Sequence, residues 1–129
     1  GEPITIYGDG RQVRDILNVA DAVAAYRALL GSIDRLSGKA FNLGGGPHNA
    51  VSLQLLLLEI GRITGAEVAV EYGPWRKGDQ FYFVADTRRL EKAVGWKPRV
   101  AWRDGVRELA AWLREHRIGP VTTPRRITA

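Results

Sequence analysis

Apolar and polar positions change period several times along this chain, and each change marks an element. Residues 3–7 (PITIY) are β-branched and aromatic and stop at Gly8, which predicts a short strand running into a turn. Residues 15–19 (DILNV) predict a second strand. From Asp21 the period lengthens: Val19, Ala22, Val23, Tyr26, Leu29 and Leu30 recur at helical spacing, with Gly31 as the stop. Residues 38–43 (GKAFNL) read as another strand. They run into Gly44-Gly45-Gly46-Pro47, expected to be the most flexible loop of the chain.

Ser52 suits the N-cap of a strongly apolar helix reaching Thr64, with Gly65 as a left-handed stop. Leu53, Leu56, Leu57, Ile60 and Ile63 predict one broad buried stripe on it. Residues 67–72 (EVAVEY) alternate as a half-buried strand does, residues 73–80 (GPWRKGDQ) predict a loop, and residues 81–85 another strand. Asp86 is expected to cap a short helix through Val94, stopped by Gly95 and followed by Trp96-Lys97-Pro98. Trp102 and residues 103–116 predict a last amphipathic helix with Val106, Leu109, Ala110 and Leu113 inward. Residues 1–118 thus read as one α+β domain, and residues 119–129, with Pro120, Pro124 and Arg125-Arg126, as a flexible tail.

Composition narrows the function without naming it. With 129 residues, 45% hydrophobic and 26% charged, the chain suits one globular domain with a core of its own. No apolar run approaches the roughly 20 residues that span a bilayer, and no basic-then-apolar leader opens the sequence. The expectation is therefore a cytoplasmic protein with no membrane partner. Zero cysteines and two distant histidines, His48 and His116, leave little for a disulfide or metal site. A net charge of +5 permits a polyanionic partner, but the basic residues are dispersed, and no specific nucleic-acid binding is expected.

A self-contained catalytic apparatus is not visible. No G-x-G-x-x-G links a strand to a helix, no lysine follows a glycine run, and no tyrosine has a lysine four residues on. What the loops do carry is arginine and aromatic chemistry. Arg14 follows the Gly8-Asp9-Gly10 turn, and Arg76 lies in W-R-K-G-D-Q. Two planar guanidinium forks from different loops suit a diphosphate, and Tyr7 offers a flat face to a base or sugar. The plainer alternative pairs Arg14 with Asp15 or Asp21, pairs Arg76 with Asp79, and puts Tyr7 in the core. Asn42, the glycine run and His48-Asn49 suit either a ligand loop or a simple connector. Trp96, Trp102 and Trp112 read as packing residues.

In order and spacing, these pieces resemble a known family. The series G-D-G-x-Q-x-R-D, F-N-L-G-G-G, S-L-x-L-L, W-R-x-G-D-Q, D-T-x-x-L and G-W-K-P is similar to the C-terminal part of extended short-chain dehydrogenases acting on nucleotide sugars. Within that family it looks most like the CDP-paratose 2-epimerase branch. The resemblance covers about residues 3–114 and implies a small mixed α/β substrate-binding domain lacking the Rossmann domain. It implies a nucleotide-diphosphate sugar as ligand, NAD held by the absent domain, a homodimeric full-length enzyme, and a fragment inactive alone. By the same resemblance, Arg14 and Arg76 match diphosphate-contacting arginines, and Tyr7 an aromatic near the base, with Thr5 and Ile6 offering backbone groups. Asp79 matches an acid that orders the arginine or meets the ribose, while Asn42 and Gly44 match a loop bordering the cleft. The rival readings are a non-catalytic nucleotide-sugar or anion-binding module, a UDP-sugar 4-epimerase or dehydratase relative, and a nucleic-acid-binding domain.

Overall fold

The computed structural model describes residues 3–116, so the expected tail at 119–129 lies outside the described residues. Five short strands and five helices alternate along the chain as β1 Ile4–Tyr7, β2 Val13–Asp15, α1 Val19–Leu30, α2 Ile33–Leu36, β3 Ala50–Ser52, α3 Leu53–Thr64, β4 Val70–Gly73, β5 Tyr82–Phe83, α4 Arg88–Val94 and α5 Trp102–Glu115. The result is the mixed α/β arrangement expected. β1 pairs with β4 in parallel, and β2 lies between β3, antiparallel, and β5, parallel.

This topology brings two connections together. The turn from β1 to β2 and the loop from β4 to β5 start and finish side by side, because Tyr7 sits in register with Gly73 and Arg14 with Phe83. Two backbone bonds close the ends: Gly8 N–H donates to Gly73 O, and Val13 N–H to Phe81 O. Gly8, at φ 95°, is required where it stands, since a Cβ there would press on the Trp75 indole at 2.7 Å.

The predicted helix stops hold at Gly65 and Gly95, both left-handed at φ 70°, and the Ser52 hydroxyl accepts from Leu55 N–H as an N-cap should. Elsewhere the boundaries move. The strand expected at 15–19 stops at Asp15, because Asn18 Oδ1 accepts from Ala20 N–H and starts α1 at Val19 rather than Asp21. No strand forms over 38–43: none of its residues joins a ladder among those described. Its alternation still has a cause. Phe41 and Leu43 pack onto the core cluster of Ala25, Leu90 and Trp96, together with Leu17, Leu29 and Val94.

Residues 44–46 are buried, against the expectation of a flexible loop. A Cβ on Gly45 would run into the Ile16 carbonyl, and one on Gly44 into the Asp15 carboxylate. Asp15 Oδ2 accepts from Gly46 N–H at 2.9 Å and from Ala85 N–H at 3.1 Å, joining β2, the glycine run and the chain after β5. The stripes of α3 and α5 are only partly covered. Leu53, Leu56, Leu57, Ile60 and Ile63 are half-buried, Leu109 and Leu113 are exposed, and the buried residue of α3 is Glu59. Arg62, Arg103 and Arg107 surround that carboxylate and tie α5 to α3. Trp96 and Trp102 are buried as expected, whereas Trp112 is half exposed and stacks on His116.

Candidate functional site

The paired paths β1–turn–β2 and β4–loop–β5 deliver four of the expected residues to one place. Tyr7 ends β1, Arg14 lies in β2, and Arg76 and Asp79 sit on the loop. The Arg76 guanidinium carbon lies 3.6 Å above the centre of the Tyr7 ring, a stacked cation–π contact. Arg14 Nη2 donates to Asp79 Oδ1 at 2.9 Å, and its Nη1 donates to the Val13 carbonyl oxygen at 2.8 Å. Both halves of that pair are partly exposed, so the contact is one a stronger anion can replace.

The local ion pairs considered for the sequence do not form among the described residues. Arg14 reaches past Asp15 to Asp79, and Arg76 takes the Tyr7 ring rather than Asp79. Tyr7 is not a core residue, being 36% exposed. Beneath it lies a cavity of about 260 Å³ whose lining includes Thr5, Tyr7, Gln12, Leu53, Arg76 and Asp79. Arg76 and Asp79 belong to that lining, and Arg14 joins them from outside it through Asp79, so positive charge is in excess beside an aromatic ring. Such a set binds a small anion carrying a flat or apolar appendage.

Asn42 and Gly44 do not line this cavity. Asn42 Nδ2 approaches the Asp86 carbonyl oxygen at 3.4 Å, and Gly44 is packed between Asp15 and Ala85. Their neighbourhood contains the chain's clearest titration anomaly. Asp86 is held down to about 2 by hydrogen bonds from the Arg88 side chain and backbone, and Arg88 is raised by the same carboxylate. Asn49, open to either a ligand or a connector role in the sequence, donates to Val100 O and accepts from Trp102 N–H at the start of α5. Sequence reasoning gave no role to Trp75, which covers Gly8 and meets Phe81 at 4.5 Å between ring centres. The only signal there was its neighbour Arg76.

Neither glycine turn fits a dinucleotide. Gly8-Asp9-Gly10 leads into strand β2, and the 44–46 run leads through a 3₁₀ turn into β3, so neither presents a helix N-terminus to a pyrophosphate. The described residues thus use both of these glycine turns to enter strands. They also contain no group of His, Cys, Asp and Glu able to hold a metal ion, and no helix long and apolar enough to cross a membrane.

Residues 1–44 match the model of the NAD dependent epimerase/dehydratase family. The CDP-paratose 2-epimerase of Salmonella typhi is 35% identical over 111 residues, which is 86% of this chain and 33% of that protein. The UDP-glucuronate 4-epimerase of Thermodesulfobacterium geofontis is 30% identical over 89% of this chain and 34% of its own length. MoeE5, solved in complex with UDP-glucose and NAD, superposes with a TM-score of 0.82 at 35% identity, covering 90% of this chain and 38% of that one. The chain spans about a third of the length of the curated relatives it matches. On both sequence and fold, this chain belongs to the NAD dependent epimerase/dehydratase family.

Proposed function

We propose that this chain is the C-terminal, substrate-binding portion of an NAD-dependent nucleotide-sugar epimerase of the CDP-paratose 2-epimerase kind. The observation that carries the reading is that Arg76, Tyr7 and Asp79 line one cavity and Arg14, from β2, is bonded to that Asp79. In this reading a nucleoside diphosphate draws both guanidinium groups onto its phosphates. Arg14 exchanges part of its pairing with Asp79 for the stronger, doubly charged partner. Arg76 already lies over Tyr7, so its fork is held in place before the ligand arrives and loses less freedom on binding.

The chain's contribution is then orientation: held by its diphosphate, a sugar can be presented to chemistry supplied elsewhere. NAD would be bound, and transient oxidation and reduction carried out, by the part of the relatives that this chain does not span. The closing partner of the cleft is that same part, with a homodimer and a cytoplasmic setting expected for the whole. Supporting this, Val19, Val23, Tyr26, Leu30 and Ile33 line up along α1 and α2 with more than half of each exposed, a large apolar face for a folded domain to leave open.

An NMR titration of CDP, UDP and dTDP tests the reading. Backbone shifts should concentrate at Tyr7, Arg14, Arg76 and Asp79. Shifts confined to residues away from this cavity, or equal binding of RNA and nucleoside diphosphates, would reject it. A non-catalytic binding module predicts the same shifts and is separated by activity of the relative-length protein.

A further inference from the structure

The cavity beside Tyr7 is lined in part by Gln12, whose buried Oε1 has no hydrogen-bond partner among the described residues. Gln12 is 3% exposed, and its Nε2 donates to the Tyr7 carbonyl oxygen. A carbonyl only accepts, so the nitrogen must face Tyr7; the flipped carboxamide would set two acceptors against each other. Oε1 is therefore the free end. The backbone leaves little room to re-aim it, since Val13 N–H donates to Phe81 O and Leu53 N–H to Gln12 O on either side. Buried acceptors without a donor are uncommon in folded proteins and mark a place where a partner belongs.

We infer that Gln12 Oε1 accepts a hydrogen bond from an N–H on the base of the bound nucleotide, so that Gln12 reads the base while the arginines hold the phosphates. The inference rests on the nucleoside-diphosphate reading above. Its chemistry suits the cavity: Leu53, Leu56 and Leu57 supply an apolar wall, and Tyr7 an aromatic one. A pyrimidine brings the missing donor, either the exocyclic amine of cytosine or the ring N3–H of uracil and thymine. Oε1 is shielded from solvent, so a base must displace rotatable side chains to reach it. Those of Leu53, Leu56, Leu57 and Arg76 line the same cavity.

The test is calorimetric titration of the 129-residue chain with pyrophosphate, UDP and CDP, and with N3-methyl-UDP and N4,N4-dimethyl-CDP, in which the donor is gone. Loss of about tenfold in affinity on methylating one of the two nucleotides is expected, and it identifies which donor is read. In Gln12→Leu, the methylated and parent nucleotides should bind alike. Each comparison is made within one protein, so a general loosening of the variant cancels. If methylation leaves both affinities unchanged in the parent chain, or if its penalty persists in Gln12→Leu, the inference is overturned while phosphate binding stands. If neither pyrophosphate nor any nucleotide binds, the diphosphate reading fails and this inference falls with it.

Discussion

Arg14 ignores the carboxylate next to it and pairs with Asp79, far along the chain. In a strand, successive side chains point to opposite faces, so Arg14 and Asp15 cannot meet, and each serves its own side of β2. Arg14 turns to Asp79 on the β4–β5 loop, while Asp15 accepts from the amides of Gly46 and Ala85. Spacing in sequence suggested a local pair, and pleating forbids it. For the same reason the residue types of the site were legible, but their partners were not. Loss of Arg76 should weaken nucleoside-diphosphate binding at least about tenfold, since a charge-assisted contact and its prearranged fork go together. In the relative-length enzyme, Arg14→Ala should mainly raise KM with kcat little changed, because it removes binding shared by ground and transition states. Gly45→Ala should cost about 2–3 kcal/mol in a urea melt, because its Cβ meets backbone at Ile16 that cannot move aside. A cost near zero would show that the glycine run is as loose as its composition suggests.

At the scale of elements, punctuation was easier to read than coverage. Ser52, Gly65 and Gly95 act locally, through a hydroxyl on a free amide or a left-handed φ, and so are visible in a few residues. Strand formation over 38–43 depends on a partner strand elsewhere, and no pattern within those six residues reveals its absence. Likewise the α3 stripe is apolar enough to bury, yet its buried residue is Glu59, held by arginines of α3 and α5. Of these, the contacts from Arg103 and Arg107 join α5 to α3 over a long sequence separation. Asp21 does similar work, its carboxylate accepting from Arg99 and Val100 N–H while its carbonyl oxygen accepts from Trp96 Nε1. Asp21→Ala should therefore destabilise the fold by about 1–3 kcal/mol, read as a lower urea midpoint. The Asp86–Arg88 contact sets a pH window. A carboxyl lowered to about 2 contributes stability above the unfolded carboxylate pKa, lost as pH falls toward 2. In Asp86→Asn that part of the acid sensitivity should vanish from the pH–melting profile.

For the whole molecule, the described residues bury few large side chains completely and leave apolar faces on α1, α3 and α5 open to solvent. Open apolar faces of this kind suit packing against further protein, as the proposed function requires of a chain spanning about a third of its relatives' length. The family was legible from the order of its short motifs. That both glycine turns lead into strands became visible only in the structure. Supplied with NAD and a nucleotide sugar, the 129-residue chain should show no epimerisation, and any turnover would overturn the proposed division of labour. The central claim, that Arg14 and Arg76 form a diphosphate clamp, is tested most directly by calorimetric titration of CDP. The parent chain and the double variant Arg14→Ala/Arg76→Ala would be compared, with circular dichroism confirming that both are folded. Saturable binding to the parent and a loss of at least about a hundredfold in the folded variant are expected. Equal affinity in the two would contradict the claim.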